Sequence, residues 1–385
     1  MARILFVVGT RPEAIKLAPL VESADLDPRF EPILVTTGQH REMVDQVLEV
    51  FSLRVDEELK IDRAEAPDLA SMTAVLLREL TAMLRRHQPD CVVVQGDTTS
   101  AYIGALAAFY QNIPVVHVEA GLRSGDMRSP FPEEMNRRAI APLAALHLCP
   151  TAGSEQNLLL EGVSQADIRV TGNTVIDALH RVVGRVTRWE SSELHWIESE
   201  TRRIILVTAH RRESWGEPLA LVGEALTELA RRHPDIVIVF PIHRNPLVRD
   251  TMMPLLHGVS NIVVIEPLGY ADFSRLLSLA TIVVTDSGGV QEEAPSLGIP
   301  VLVLRDNTER PEAVDAGAAR LVGTDRDLIV SEVERLLTDP AAYAEMSCVV
   351  SPYGDGDASP RCLDAIYDLL NSRTPANAGV SSAQG

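Results

Sequence analysis

Three carboxylates and two imidazoles stand where short apolar runs of this chain end, and side chains placed so could move protons on a bound molecule. Asp97 lies in Gln95-Gly96-Asp97-Thr98-Thr99, Glu119 in Val116-His117-Val118-Glu119-Ala120-Gly121, and Glu133 in Pro130-Phe131-Pro132-Glu133-Glu134-Met135-Asn136-Arg137. A carboxylate set among Val, His, Ala and Gly is costly unless it is used, so Glu119 is the hardest of the three to assign to packing. Asp97 and Glu133, taken singly, also fit a helix cap or a first helical turn. His210, in Thr208-Ala209-His210-Arg211-Arg212-Glu213, and His243, in Pro241-Ile242-His243-Arg244-Asn245-Pro246, follow two further apolar runs. An imidazole titrates near neutral pH, so either could exchange a proton, hold an anion or be merely structural.

A second group of residues suits an anion. Gly9-Thr10-Arg11-Pro12-Glu13 is followed by Lys16. Gly9 suits a tight turn and Pro12 the first helical position. The N–H groups of the helix that begins there would face an anion beside Arg11 and Lys16. A capped helix with a solvated basic pair accounts for the same residues. Thr285-Asp286-Ser287-Gly288-Gly289-Val290-Gln291-Glu292-Glu293 is the stronger signal. Its glycines, Gly288 and Gly289, allow close backbone approach, Ser287 offers a hydroxyl, and another helix N-terminus follows. Glu293 could accept hydrogen bonds from ribose hydroxyls, and Arg305 and Arg310 follow one more apolar run. No G-x-G-x-x-G follows the first apolar run, and the chain has no G-x-x-x-x-G-K-[ST], Tyr-x-x-x-Lys, H-x-x-x-H or C-x-x-C. Nicotinamide hydride transfer and zinc hydrolysis lose ground accordingly, and neither metal nor cofactor is expected.

Functional residues at the ends of apolar runs imply strands alternating with helices. Strands are predicted over 3–8, 32–37, 91–95, 114–118 and 168–171, then 203–208, 236–240, 261–265, 281–285 and 300–304. Helices are predicted over 13–24, 41–51, 68–87 and 99–110, then 219–232, 270–279, 291–297 and 327–337. Such alternation points to an α/β protein with parallel sheets covered on both faces. A polar stretch over 177–201 carrying Trp189 and Trp196 marks the boundary between two doubly wound domains, 1–180 and 202–357. In such folds ligands bind at the carboxyl ends of the strands. The final stretch, 372–385, lacks apolar content and is expected to be disordered.

The 385 residues, 46% hydrophobic and 23% charged, describe a globular protein large enough for two domains. Its 35 basic and 54 acidic side chains leave a net charge of −19, which repels nucleic acid and anionic membrane. An anionic ligand must therefore be gripped by a local basic cluster working against the overall field. The N-terminus does not fit a signal peptide, no apolar stretch is long enough to span a bilayer, and the four scattered cysteines read as reduced fillers, so a cytoplasmic location is expected.

Taken together, the motifs resemble the non-hydrolysing UDP-N-acetylglucosamine 2-epimerases. The likeness runs through Gly-Thr-Arg-Pro-Glu-Ala-Ile-Lys, Gln39-His40-Arg41-Glu42-Met43, Gly-Asp-Thr-Thr, His-Val-Glu-Ala-Gly-Leu-Arg, Pro-Glu-Glu-Met-Asn-Arg, Gly172-Asn173-Thr174, Ala-His-Arg-Arg-Glu-Ser and Asp-Ser-Gly-Gly-Val-Gln-Glu-Glu. The resemblance implies two Rossmann-like domains facing a central cleft, of the glycosyltransferase-B type, in a homodimer. It also implies a last helix, 358–371, that crosses back onto the first domain. By similarity Arg11, Lys16, His243, Ser287, Gly288, Gly289, Glu293 and Arg310 would hold UDP, with Phe273 beside the uracil. Asp97, Glu119, Glu133 and His210 would act on the sugar of UDP-GlcNAc or UDP-ManNAc. Some relatives bind a second substrate molecule as an activator near the Gln-His-Arg motif. Here Gln39 is retained while Glu42 replaces a Gln, and Leu268 replaces a Gln that touches the nucleotide in some relatives. Hydrolysing release of free ManNAc, or sugar transfer to an acceptor, are alternative uses of the same phosphate site.

Overall fold

The structure, a computed structural model, describes residues 1–39, 41–59, 61 and 66–373. The chain divides into two compact units, Met1–Asp177 together with the chain from Gly356 onward, and Ala178–Asp355. Each is built on one parallel sheet.

The first unit opens with β1 (Ala2–Val8), α1 (Arg11–Leu26), β2 (Phe30–Thr36), α2 (Arg41–Val50), the two-residue β3 (Glu57–Glu58) and α3 (Leu69–His87). It continues through β4 (Cys91–Gln95), α4 (Thr99–Tyr110), β5 (Val115–Val118), α5 (Glu133–Ile140), β6 (Leu146–Cys149), α6 (Ala152–Leu160) and β7 (Ile168–Val170). Its strands lie in the order β3-β2-β1-β4-β5-β6-β7. The central strands are apolar along their whole length because helices cover both faces: Ile4 to Val8 and Cys91 to Val94 are all buried. Thr98 caps α4 by accepting from the Ala101 N–H at 3.0 Å, and Asp68 caps α3 by accepting from Ser71 at 2.8 Å.

α7 (Thr174–Arg185) leads into the second unit, whose elements are β8 (Arg203–Thr208), α8 (Glu217–Arg232), β9 (Ile236–Pro241), α9 (Pro246–Leu256), β10 (Ile262–Ile265) and α10 (Tyr270–Leu279). Then come β11 (Ala280–Thr285), α11 (Gly288–Ser296), β12 (Val301–Val303), α12 (Pro311–Asp315), β13 (Ala319–Leu321), α13 (Arg326–Thr338) and α14 (Pro340–Ser347). The order β10-β9-β8-β11-β12-β13 repeats β3-β2-β1-β4-β5-β6 of the first sheet, with no counterpart of β7. Both are Rossmann-like, and in each the strand order reverses beside the first strand, between β1 and β4 and between β8 and β11.

The stretch expected as a polar boundary is structured. Its first residues belong to α7, and Ser192–Ser199 form a 3₁₀ helix. Trp189 is buried with the Arg275 guanidinium 4.2 Å above its ring, and the N–H groups of Glu190 and Ser191 donate to the Asp272 carboxylate at 3.0 and 2.8 Å. These contacts make nearly all of the stretch part of the second unit, and the division between the units falls at its first residue, inside α7. α15 (Ala358–Arg373) packs on α1 and β6, with Asp177 accepting from the N–H groups of Ala358 and Ser359 at 3.1 and 2.6 Å. It runs two residues past the expected end at 371. The rest of the expected tail lies outside the described residues.

Candidate active site

In the first unit the loops leaving β1 and β4 carry the expected residues. Thr10 caps α1, and Glu13 Oε2 accepts from the N–H groups of Gly9 and Thr10 at 3.1 and 2.7 Å. Glu13 Oε1 accepts from the Thr98 hydroxyl at 2.7 Å, so one buried carboxylate ties the two loops together. Burial pushes the Glu13 carboxyl up to about 7, against the lowering effect of these bonds. Gly9 is not left-handed, which corrects the reading of a tight turn. A Cβ there would lie 2.2 Å from Ser100 Oγ, so the close approach of α4 requires glycine. Arg11 is exposed in the first turn, whereas Lys16 turns inward.

Lys16 pairs with Glu119, the residue after β5. That carboxylate also accepts from the Gln95 amide and, at 3.1 Å, from the Asn173 amide, and the residue is only 8% exposed. Its φ of 60° is left-handed, a strained conformation for a side chain of this size that is kept only where the surroundings enforce it. Asp97, after β4, pairs with Arg137, and Asn136 donates to the Asp97 carbonyl at 2.8 Å. Both partners come from α5, whose first residue is Glu133. Glu133 and Arg137 are one turn apart on a shared helix face, and Glu133 Oε2 is buried without a hydrogen-bond partner. Its neighbour Glu134 is satisfied, accepting from the Ser124 N–H and from Arg138, each at 3.0 Å. Gln39 accepts from the Ser100 hydroxyl at 3.1 Å, Glu42 is exposed in the first turn of α2, and His40 lies outside the described residues.

In the second unit β8 and β11 end side by side, and Asp286 joins their loops. Its Oδ2 accepts from the N–H groups of His210 and Arg211 at 2.6 and 2.7 Å, and its Oδ1 lies 2.9 Å from His210 Nδ1. Burial alone would raise this carboxyl. The imidazole and the backbone donors outweigh burial and hold it below its ordinary range. The ring of His243, after β9, stacks on that of His210 with centroids 5.9 Å apart, and burial followed by the His210 charge lowers its basicity. His243 Nδ1 accepts from the Asn245 N–H at 3.2 Å.

α11 begins at Gly288, three residues before the predicted start, because Gly288 and Gly289 form its first turn. Ser287 precedes it without a side-chain bond to the helix, which leaves the first N–H groups to an anion. A Cβ at Gly288 would meet the Arg310 guanidinium at 3.4 Å, while one at Gly289 would face open space. Arg310 Nε donates to the buried Glu292 at 2.7 Å. Glu293 is 7% exposed, and its charge adds to the effect of burial in raising the Tyr270 phenol well above its ordinary range. Phe273, one turn after Tyr270, is half-buried.

Four residues at these sites had no role in the sequence reading: Gln95, Arg137 and Asn173 around the carboxylates, and Asp286 behind His210. All four lie inside motifs that the sequence displays, but only the spacing of Arg137, four positions after Glu133, hints at a contact. Among the described residues no group of His, Cys, Asp and Glu could hold a metal ion, and no helix is long and apolar enough to cross a membrane. Cys91, Cys149 and Cys362 are buried, while Cys348 is exposed.

The family model of UDP-N-acetylglucosamine 2-epimerase matches residues 22–367. The chain is 50% identical over 369 residues to the UDP-N-acetylglucosamine 2-epimerase of Escherichia coli K12, an alignment covering 94% of this chain and 98% of that one. The crystal structure of UDP-GlcNAc 2-epimerase from Neisseria meningitidis bound to UDP-GlcNAc aligns with a TM-score of 0.85 at 43% identity, over 95% of this chain and 100% of that one. The glycotransferase of kitacinnamycin shares the fold at a TM-score of 0.63 and 16% identity, over 96% of this chain and 99% of that one. By sequence and by fold, the chain belongs to the UDP-N-acetylglucosamine 2-epimerase family.

Proposed function

We propose that this protein interconverts UDP-GlcNAc and UDP-ManNAc by eliminating UDP to a 2-acetamidoglucal and adding it back. The C2 proton of the sugar is not activated by a carbonyl, so direct deprotonation is prohibitive. Departure of UDP from C1 builds oxocarbenium character, and the neighbouring C–H then becomes acidic enough for a carboxylate. Carboxylates stabilise such a cationic centre, while arginines and helix N-termini stabilise the leaving diphosphate. The observation that carries the reading is the partnering of the three strand-end carboxylates. Glu119 is saturated by Lys16, Gln95 and Asn173, and Asp97 is paired with Arg137, whereas Glu133 keeps a buried oxygen without a partner. On this reading Glu133 exchanges the C2 proton on one face of the sugar, Glu119 and Asp97 supply negative charge around it, and inversion requires a second acid–base group of this set on the opposite face. His210 and His243 serve the leaving phosphate. Arg11, Ser287, Gly288, Gly289, Glu293, Phe273 and Arg310 hold UDP.

The resemblance further supports a homodimer, which light scattering of the purified protein tests. Incubation with UDP-GlcNAc alone in heavy water tests the chemistry: UDP-ManNAc carrying deuterium at C2 is expected. Free ManNAc with UDP would make the protein a hydrolysing epimerase, and no change without an acceptor would favour a transferase or a nucleotide-sugar binding module. Protium retained at C2 of the product would remove the elimination route.

A further inference from the structure

Asp286 is 1% exposed, carries a charge, and touches His210 through both the backbone and the ring. Two backbone N–H groups occupy Oδ2, so Oδ1 is left for the imidazole, 2.9 Å away at Nδ1. Oδ1 is buried and accepts no hydrogen bond from any other group, and an ionised carboxylate only accepts, so a proton on Nδ1 is what would satisfy it. The opposite nitrogen, Nε2, is then directed away from Asp286. His243 is fixed in the reverse sense, because its Nδ1 accepts from the Asn245 N–H and its own proton sits on Nε2.

We propose that Asp286 is a positioning residue for His210: it locks the Nδ1–H tautomer, presents Nε2 as the reacting nitrogen, and stabilises the imidazolium when Nε2 is protonated. Protonated Nε2 gives its proton to the phosphate oxygen as the C1–O bond breaks and takes it back as UDP re-adds. The low ionisation range of Asp286 fits a carboxylate that stays charged throughout. This role in turnover rests on the reaction proposed above, but the tautomer does not.

The test is long-range ¹⁵N–¹H NMR of histidine-labelled protein, with the His210 signal assigned by its loss in His210→Gln. The wild-type protein should give the Nδ1–H tautomer. In Asp286→Asn the amide oxygen keeps the two backbone N–H groups and the NH₂ faces Nδ1, so the ring should switch to Nε2–H. Turnover should fall about a hundredfold while KM changes by less than about threefold, because the defect lies in proton transfer rather than in binding. A wild-type ring with its proton on Nε2, or a ring unchanged in a folded Asp286→Asn, overturns the proposal. If that variant does not fold, the wild-type tautomer decides. A switched tautomer in a protein that makes no UDP-ManNAc would leave the positioning intact and remove the epimerase reading. Conversion without a switch would do the reverse.

Discussion

Glu119 combines burial, a left-handed backbone and three polar partners, a combination that no packing requirement explains. Glu119→Gln keeps the shape but leaves Lys16 facing a neutral amide. Turnover should drop at least about a hundredfold in Glu119→Gln, in Asp97→Asn and in Glu133→Gln, as measured by steady-state assay. Wild-type rates in all three would remove the assignment. Arg310→Ala should act differently, because its guanidinium serves both the open end of α11 and the buried Glu292. UDP affinity by calorimetry should fall about tenfold or more, and the melting temperature should fall as well, since the buried Glu292 carboxylate loses a charged hydrogen-bond donor. The sequence displayed the acidic residues at the ends of apolar runs. It did not display what restrains them: Gln95 and Asn173 converge on Glu119 only because β4, β5 and β7 lie in one sheet.

At the scale of elements, β5 and β6 carry His117 and His147 opposite one another inside the first sheet. Burial lowers these imidazoles to about 3 and about 4, from an ordinary 6.5. Both stay neutral when folded, so their contribution is complete above pH 6.5 and is lost as the pH falls through those values. Glu13 has the opposite sign. Its carboxyl, raised from 4.5 to about 7, favours the folded state fully below 4.5 and loses that contribution as the pH rises to about 7. Because the two histidines act in the opposite direction up to pH 6.5, the test is the difference between proteins: from pH 4.5 to about 7 the urea midpoint of the wild type should fall relative to that of Glu13→Gln. An equal slope in both proteins would count against a buried, proton-holding Glu13. Gly121 offers a steric test. With a φ of 90° and a Cβ position 2.2 Å from the Ser154 carbonyl oxygen, Gly121→Ala should cost about 1–3 kcal/mol in chemical denaturation. Long apolar strands such as β4 and β8 were legible from their residues alone. β3 was not, because two glutamates carry no strand pattern, and neither was β6, because a histidine and a cysteine interrupt its apolar character. Pro246 and Pro254 hid α9.

At the scale of the whole chain, the two sheets repeat one strand order with different equipment. Acidic groups with Lys16 and Arg137 furnish the first, while an uncapped helix end with Arg310 and paired histidines furnishes the second. This division was readable from motifs, whereas the route of the chain after 355 came from the family likeness rather than from any residue pattern. Asp177 fastens the start of α15. Asp177→Ala should free that helix, costing about 1–2 kcal/mol and opening 358–373 to protease before the rest of the protein unfolds. Because α15 packs on α1 and β6, the first unit is interrupted by all of Ala178–Asp355. During synthesis its sheet must therefore wait, lacking its closing helix, until the ribosome has delivered the complete guest. The guest can finish folding while its host is still unsealed, and a stall in translation after 355 would leave α1 bare.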